Sequence, residues 1–149
     1  DQEIIKYMKE KYKLLIGETT AEDIKINFAN VYKPKKNEKK EIKGRDLLTG
    51  LPKAIEITQE ETKEALADSL EKIIKSCKNV LEQTPPELSA DIVEKGVILT
   101  GGGALLTGLV ERLEEELTIP VLIAETPLTC VAEGTGILLN NIKILEEDQ

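Results

Sequence analysis

The stretch richest in chemical possibility is residues 96–109, GVILTGGGALLTGL, where an apolar run meets Gly101, Gly102 and Gly103 and then a helical pattern. Glycine admits positive φ and lets a ligand lie against bare backbone, while the amides at a helix start favour oxygen-rich, anionic partners. A nucleotide is the natural guest for that combination. The two best-known nucleotide loops do not fit. A dinucleotide fingerprint needs a third glycine where Leu106 stands, and a P-loop needs a Gly-Lys-Ser/Thr run that never occurs. Taken alone, the glycines equally satisfy a tight strand-to-helix turn. A second candidate is the pair Glu22 and Lys25 in AEDIKIN, three apart and so on one helical face. There a carboxylate and an ammonium can engage ribose hydroxyls, phosphate or ring edges, or simply form a solvated surface pair. Asp91, Glu94 and Glu125 stand near strand ends and read as solvated or capping carboxylates.

These residues need elements to hold them. Ile4, Ile5, Met8, Tyr12 and Leu15 recur at helical spacing, which predicts an amphipathic helix over 2–15, closed by Gly17. Thr20 is then placed to cap a second short helix. From Phe28 to Thr58 the pattern shortens to strand-like pieces around FANVY, KKEIKG and AIEI, predicting a small antiparallel sheet. Thr58 with Glu61 forms a capping box for a long helix carrying Ala65, Leu66, Ser69, Ile73, Cys77, Val80 and Leu81, until Pro85 and Pro86 stop it. Beyond them come a buried strand at Val97 to Leu99, the glycine loop, and a helix with Leu105, Leu109, Leu113 and Leu117 on its core face. A second strand follows at Val121 to Ile123, and Thr126 with Pro127 caps a last helix through about Asn141. Strand, glycine loop, helix, strand, helix is the order of a parallel βαβ unit.

Composition narrows the function classes. The 149 residues are 40% hydrophobic, enough for one real core, and no apolar run approaches the ~20 residues of a membrane span. The start, DQEIIKYMKEKY, has no apolar signal-peptide core, which points to a cytoplasmic protein. A net charge of −8 argues against nucleic-acid binding, and the Lys33 to Lys43 cluster, interrupted by Glu38 and Glu41, reads as a solvated hairpin. Cys77 and Cys130, with no CxxC pair and no histidine in the chain, read as reduced core residues.

Several phrases together resemble the MreB-type bacterial actins: LLIGETTAEDIK (14–25), IKGRDLLTGLPKAIEIT (42–58), LEQTPPELSADI (81–92), GVILTGGGALLTGL (96–109) and IPVLIAETPLTCVAEGTG (119–136). The likeness covers essentially the whole chain in family order. What it implies is an α/β actin-like ATPase domain: a ribonuclease-H-like subdomain from residues 1–20 and 86–149, with a small α+β outer subdomain inserted at 21–85. By the same resemblance Gly101, Gly102, Gly103 and Ala104 match the family's adenosine-binding loop. Glu22, Asp23, Ile24 and Lys25 match the segment on the other side of adenine and ribose. The implied cofactor is ATP with Mg²⁺, held fully only in a longer protein, since the phosphate loops and catalytic acids of the fold have no counterpart here. The implied partners are further copies in a filament, the cell-shape machinery, and a membrane reached through the other half, with no nucleic acid. An actin-superfold sugar kinase or heat-shock ATPase, and a stand-alone filament-capping module, are the competing readings; the 42–58 and 81–92 wording favours the first. The lysine-heavy YKPKKNEKKE departs from the commoner family pattern.

Overall fold

The computed structural model describes residues 1–140. Helix α1 (Gln2–Tyr12) buries Ile4 and Met8 and ends where Lys13 takes the left-handed conformation, φ 52°, its amide bonding the Met8 carbonyl. The predicted helix to residue 15 is therefore too long. Leu14 and Leu15 instead form β1 (Leu14–Leu15), pairing antiparallel with Asp46 and Arg45, and full burial of Leu14 favours that turn outward. Helix α2 (Glu18–Asn27) starts two residues before the expected cap. Gly17 is its N-cap and Thr20 lies inside its first turns.

The FANVY segment is not a strand. Ala29 and Val31 are buried alternately, which imitates a strand pattern, but the backbone is irregular and is held by side-chain bonds instead. The hairpin of β2 (Lys39–Asp46) and β3 (Pro52–Thr58) is as expected and makes an antiparallel sheet of order β1-β2-β3. Ile42 and Ile57 from its inner face are buried.

Helix α3 (Gln59–Glu82) opens on the predicted capping box: the Thr58 hydroxyl accepts from the Glu61 amide, and the Glu61 carboxylate accepts from the Thr58 amide. Its core stripe is Thr62, Leu66, Leu70 and Ile74, so Ile73 and Val80, expected inside, are exposed. The prolines stop α3 and also begin a helix that periodicity did not predict. Pro86 sits in the first turn of α4 (Pro86–Lys95), where its missing amide is not needed. Strands β4 (Val97–Leu99) and β5 (Val121–Ile123) pair in parallel, as the βαβ order predicts, with α5 (Leu109–Leu117) between them. Leu109, Leu113 and Leu117 are buried. Leu105 is not, because a 3-10 turn over Gly102–Leu105 and a left-handed Gly108 separate it from α5. The last helix, α6 (Cys130–Asn140), starts after a turn at Thr126 and Pro127 rather than on it, and Asn141 lies outside the described residues. Cys77 and Cys130 are free, as expected, but half-buried rather than in the core.

One continuous apolar cluster runs from Ile4 and Met8 through Leu14, Ile24, Ile42 and Ile57 to Leu70, Ile74, Leu113 and Val121. Helix α3 touches both α1 and α5 and so joins the antiparallel and parallel sheets. No helix among the described residues is long and apolar enough to cross a membrane.

Candidate functional site

The glycine loop is built as its composition requires. Gly101 adopts φ 86°, a region costly for any side chain, and its amide bonds the Pro127 carbonyl at 2.6 Å. The Thr100 hydroxyl donates to the same carbonyl at 3.3 Å. Gly102 and Gly103 then enter the 3-10 turn, closed by the Ala104 amide on the Gly101 carbonyl at 3.1 Å. A side chain added at Gly101 or Gly103 would meet nothing within 4 Å, and one at Gly102 would meet only a terminal methyl of Leu128, at 3.1 Å. Gly102 and Gly103 are exposed while Ala104 is buried and anchors the turn. The first amides of a helical turn have no partner within the turn. The loop is thus an open, side-chain-free ledge of backbone at the carboxyl end of a parallel strand, where ligands gather in α/β sheets.

The second candidate segment is less uniform. Ile24 is wholly buried and its side chain belongs to the core. Asp23 accepts from Lys40 at 2.5 Å and from Asn27 at 2.7 Å, and the Lys40 ammonium, with help from Asn27, holds its carboxyl below the usual aspartate range. Lys25 pairs with Asp1 at 2.8 Å and not with Glu22. Glu22 is exposed and has no hydrogen bond or ion pair among the described residues, so it remains available to a ligand. Of Asp91, Glu94 and Glu125, all exposed, only Asp91 has an ion-pair partner among the described residues, Lys95 at 3.8 Å. No cluster of three or more acidic, histidine or cysteine side chains that could hold a metal ion occurs among the described residues.

The two candidate segments are tied together by residues that the sequence reading missed. The chain leaving α2 makes a turn in which the Asn30 side chain accepts from the amides of Tyr32 and Lys33, at 3.1 and 3.2 Å. The Val31 amide then bonds the Thr107 carbonyl at 3.0 Å, four residues beyond the glycines. Gly108, at φ 86°, fits so closely beneath this turn that an added side chain would come within 2.8 Å of the Tyr32 backbone. Lys63 on α3 caps the Tyr32 carbonyl at 3.2 Å, and the buried Gln59 accepts from the Lys35 amide at 2.8 Å. Asn30 and Gly108, both turn formers, were the available signal.

Comparison with known proteins gives a consistent result. Residues 1–147 match the family model described as MreB/Mbl protein. The chain is 56% identical over 142 residues to the cell shape-determining protein Mbl of Bacillus subtilis strain 168, covering 95% of this chain and 43% of that one. Among solved structures it is similar to MreB5 of Spiroplasma citri bound to AMPPNP, with a TM-score of 0.87 and 37% identity, over 99% of this chain and 44% of the other. A MamK double helical filament shares the fold at a TM-score of 0.68 and 23% identity, over 85% of this chain and 38% of that one. The actin-like α/β fold expected from the sequence is the fold observed. The chain spans under half the length of the relatives it matches.

Proposed function

This chain belongs to the MreB/Mbl family, and from that premise we propose that it forms one lobe of the ATP site of a filament-forming bacterial actin that governs cell shape. The reading rests foremost on the exposed backbone ledge of Gly101–Gly103, fastened through Thr107 and Val31 to the exit of α2. The ledge would carry the adenosine, with Ala104 anchoring it from below. Glu22 would bond the ribose hydroxyls, and Lys25, released from Asp1, would approach the ring or phosphate edge. Nucleotide binding by the Spiroplasma relative supports this, as does the filament of the MamK neighbour. Mg²⁺ and most of the phosphate contacts would take their ligands from the part of the longer relatives that these 149 residues do not span. When bound, the cofactor would supply a phosphoanhydride for hydrolysis, and these residues would bind and orient its nucleoside end, with Lys25 at the ring or phosphate edge. Self-association, contact with shape-machinery proteins, and a cytoplasmic, membrane-associated location belong to the same proposal.

The test is Gly102→Val in a chain extended to the length of its relatives. The added Cβ meets only a terminal methyl of the exposed Leu128 side chain, so the lobe should stay folded while the ledge is blocked. Titration with a fluorescent ATP analogue should show affinity weakened by at least about tenfold, as loss of one or two well-placed contacts implies. Unchanged affinity in a folded variant would remove the loop from the site. The 149-residue chain by itself should release no phosphate from ATP above background and bind ATP only at millimolar concentration.

A further inference from the structure

We propose that the cleft between α3 and α5 is a separate binding site for a small amphipathic anion, a phosphate or carboxylate head on a short apolar body. The cleft encloses about 430 Å³, within the ~300–1,000 Å³ common for small-molecule sites. Its floor is apolar: Val31, Leu70 and Ile74, all buried, with Ala67 as a low wall. Four cations, Lys63, Lys75, Lys78 and Arg112, stand around it against two carboxylates, Glu71 and Glu116, in a chain whose net charge is −8. The positive excess is not absorbed locally. Lys78 and Arg112 share the single carboxylate of Glu116, each at 2.9 Å. Lys63 is bonded to a backbone carbonyl, which leaves its charge uncompensated. Lys75 has no hydrogen bond or ion pair among the described residues, so its ammonium is free to reach an anion over the cleft.

Both halves of the ligand follow from this layout. An apolar floor gives bare phosphate nothing to replace its water, whereas a short alkyl or aryl body gains by covering it. A neutral apolar molecule would forgo the cations. None of Glu22, Lys25 or Gly101–Ala104 lines the cleft, so the inference stands apart from the nucleotide reading.

The experiment is a ¹H–¹⁵N NMR titration of the 149-residue chain with hexyl phosphate below its micelle concentration, with inorganic phosphate and hexanol in parallel. Hexyl phosphate should shift the amides of Ala67, Leu70, Ile74 and Arg112 saturably, and bind at least about tenfold more tightly than either half-ligand. Lys75→Glu, at an exposed helical position, should weaken binding by about tenfold or more. Ala67→Leu fills the cleft without changing charge and should weaken it similarly. The proposal is overturned if phosphate and hexyl phosphate bind alike, if the shifts fall elsewhere, or if both variants, folded by their remaining spectrum, bind as the parent does. Co-sedimentation with phosphatidylglycerol vesicles that Lys75→Glu abolishes would place the head on a lipid. Hexyl phosphate binding without vesicle binding would make the ligand a free small molecule.

Discussion

The two sheets use much the same aliphatic residues and arrive at opposite environments. In the antiparallel sheet Leu14, Ile42 and Ile57 are buried beneath α1, α2 and α3, and the network above them is dense. Tyr7 and Lys11 on α1 reach Glu64, and Tyr12 and Lys11 reach Glu61, on α3. In the parallel pair only Val121 is buried; Ile98 is 66% exposed, Leu122 53%, and α6 presents Val131, Ile137, Leu138 and Leu139 outward. Among the described residues the glycine ledge therefore hangs on a layer packed from one side, through α5 onto α3. Regions with few buried contacts open at lower free energy than the core. The difference implies that the first region steadies this lobe and supports the candidate site through joints that include Leu113 and the Val31–Thr107 bond.

The severest test of that comparison is Leu113→Ala, at the junction of α5 with α3 and β5. Loss of a side chain only 1% exposed should lower stability by about 2–5 kcal/mol in a urea titration. Gly108→Ala attacks the second joint, since φ 86° and the closeness of Tyr32 both oppose a methyl group. It should cost about 1–3 kcal/mol. Amide exchange should quicken at residues 101–107 before it does in β2 and β3. If exchange instead rises uniformly, the two regions are a single cooperative unit and the contrast fails.

Smaller effects sharpen the picture of the first region. Thr58→Ala removes half of the capping box and should cost about 1 kcal/mol. Glu61 completes that box. Partial burial pushes its carboxyl up, but the Tyr12 hydroxyl, the Thr58 amide and Lys11 together outweigh burial and hold it below the usual glutamate range. A lowered folded value means that its stabilisation is present above the ordinary glutamate value, about 4.3, and is lost as pH falls through the folded one. Acid unfolding monitored by circular dichroism should accordingly be less steep below about pH 4 in Glu61→Gln than in the parent. The smallest change is expected from Ile98→Ala, within about 0.5 kcal/mol, as for other exposed positions. A large loss there would show β4 to be covered after all.

The contrast also explains what could be read from the sequence. Features fixed by local chemistry were legible: the Thr58–Glu61 capping box, the β2–β3 hairpin, and the strand–glycine–helix order around Gly101. Features decided by distant contacts were not. Leu15 has helical spacing but follows Lys13 into a strand because β2 offers a partner. Ala29 and Val31 alternate like a strand, yet their turn is set by Asn30 and by Thr107, far along the chain. Helix α4 escaped notice because Pro86 was read as a stop, although the same residue opens a helix equally well. At the candidate site, the glycines announced themselves, while the pairing of Lys25 with Asp1 depends on how α1 lies against α2 and leaves no trace in spacing.

The bond from Val31 to Thr107 also has a kinetic meaning. It joins residues separated by the whole stretch from β2 to β4, so its loop-closure entropy cost would be lower once α3 has docked. Synthesis runs from the amino end, and the strands and helices up to α3 can bury their common apolar face before Gly101 leaves the ribosome. The ledge would then be the last part of the lobe to take shape, and the order of translation would keep a half-made glycine loop from being presented on an otherwise unfolded chain.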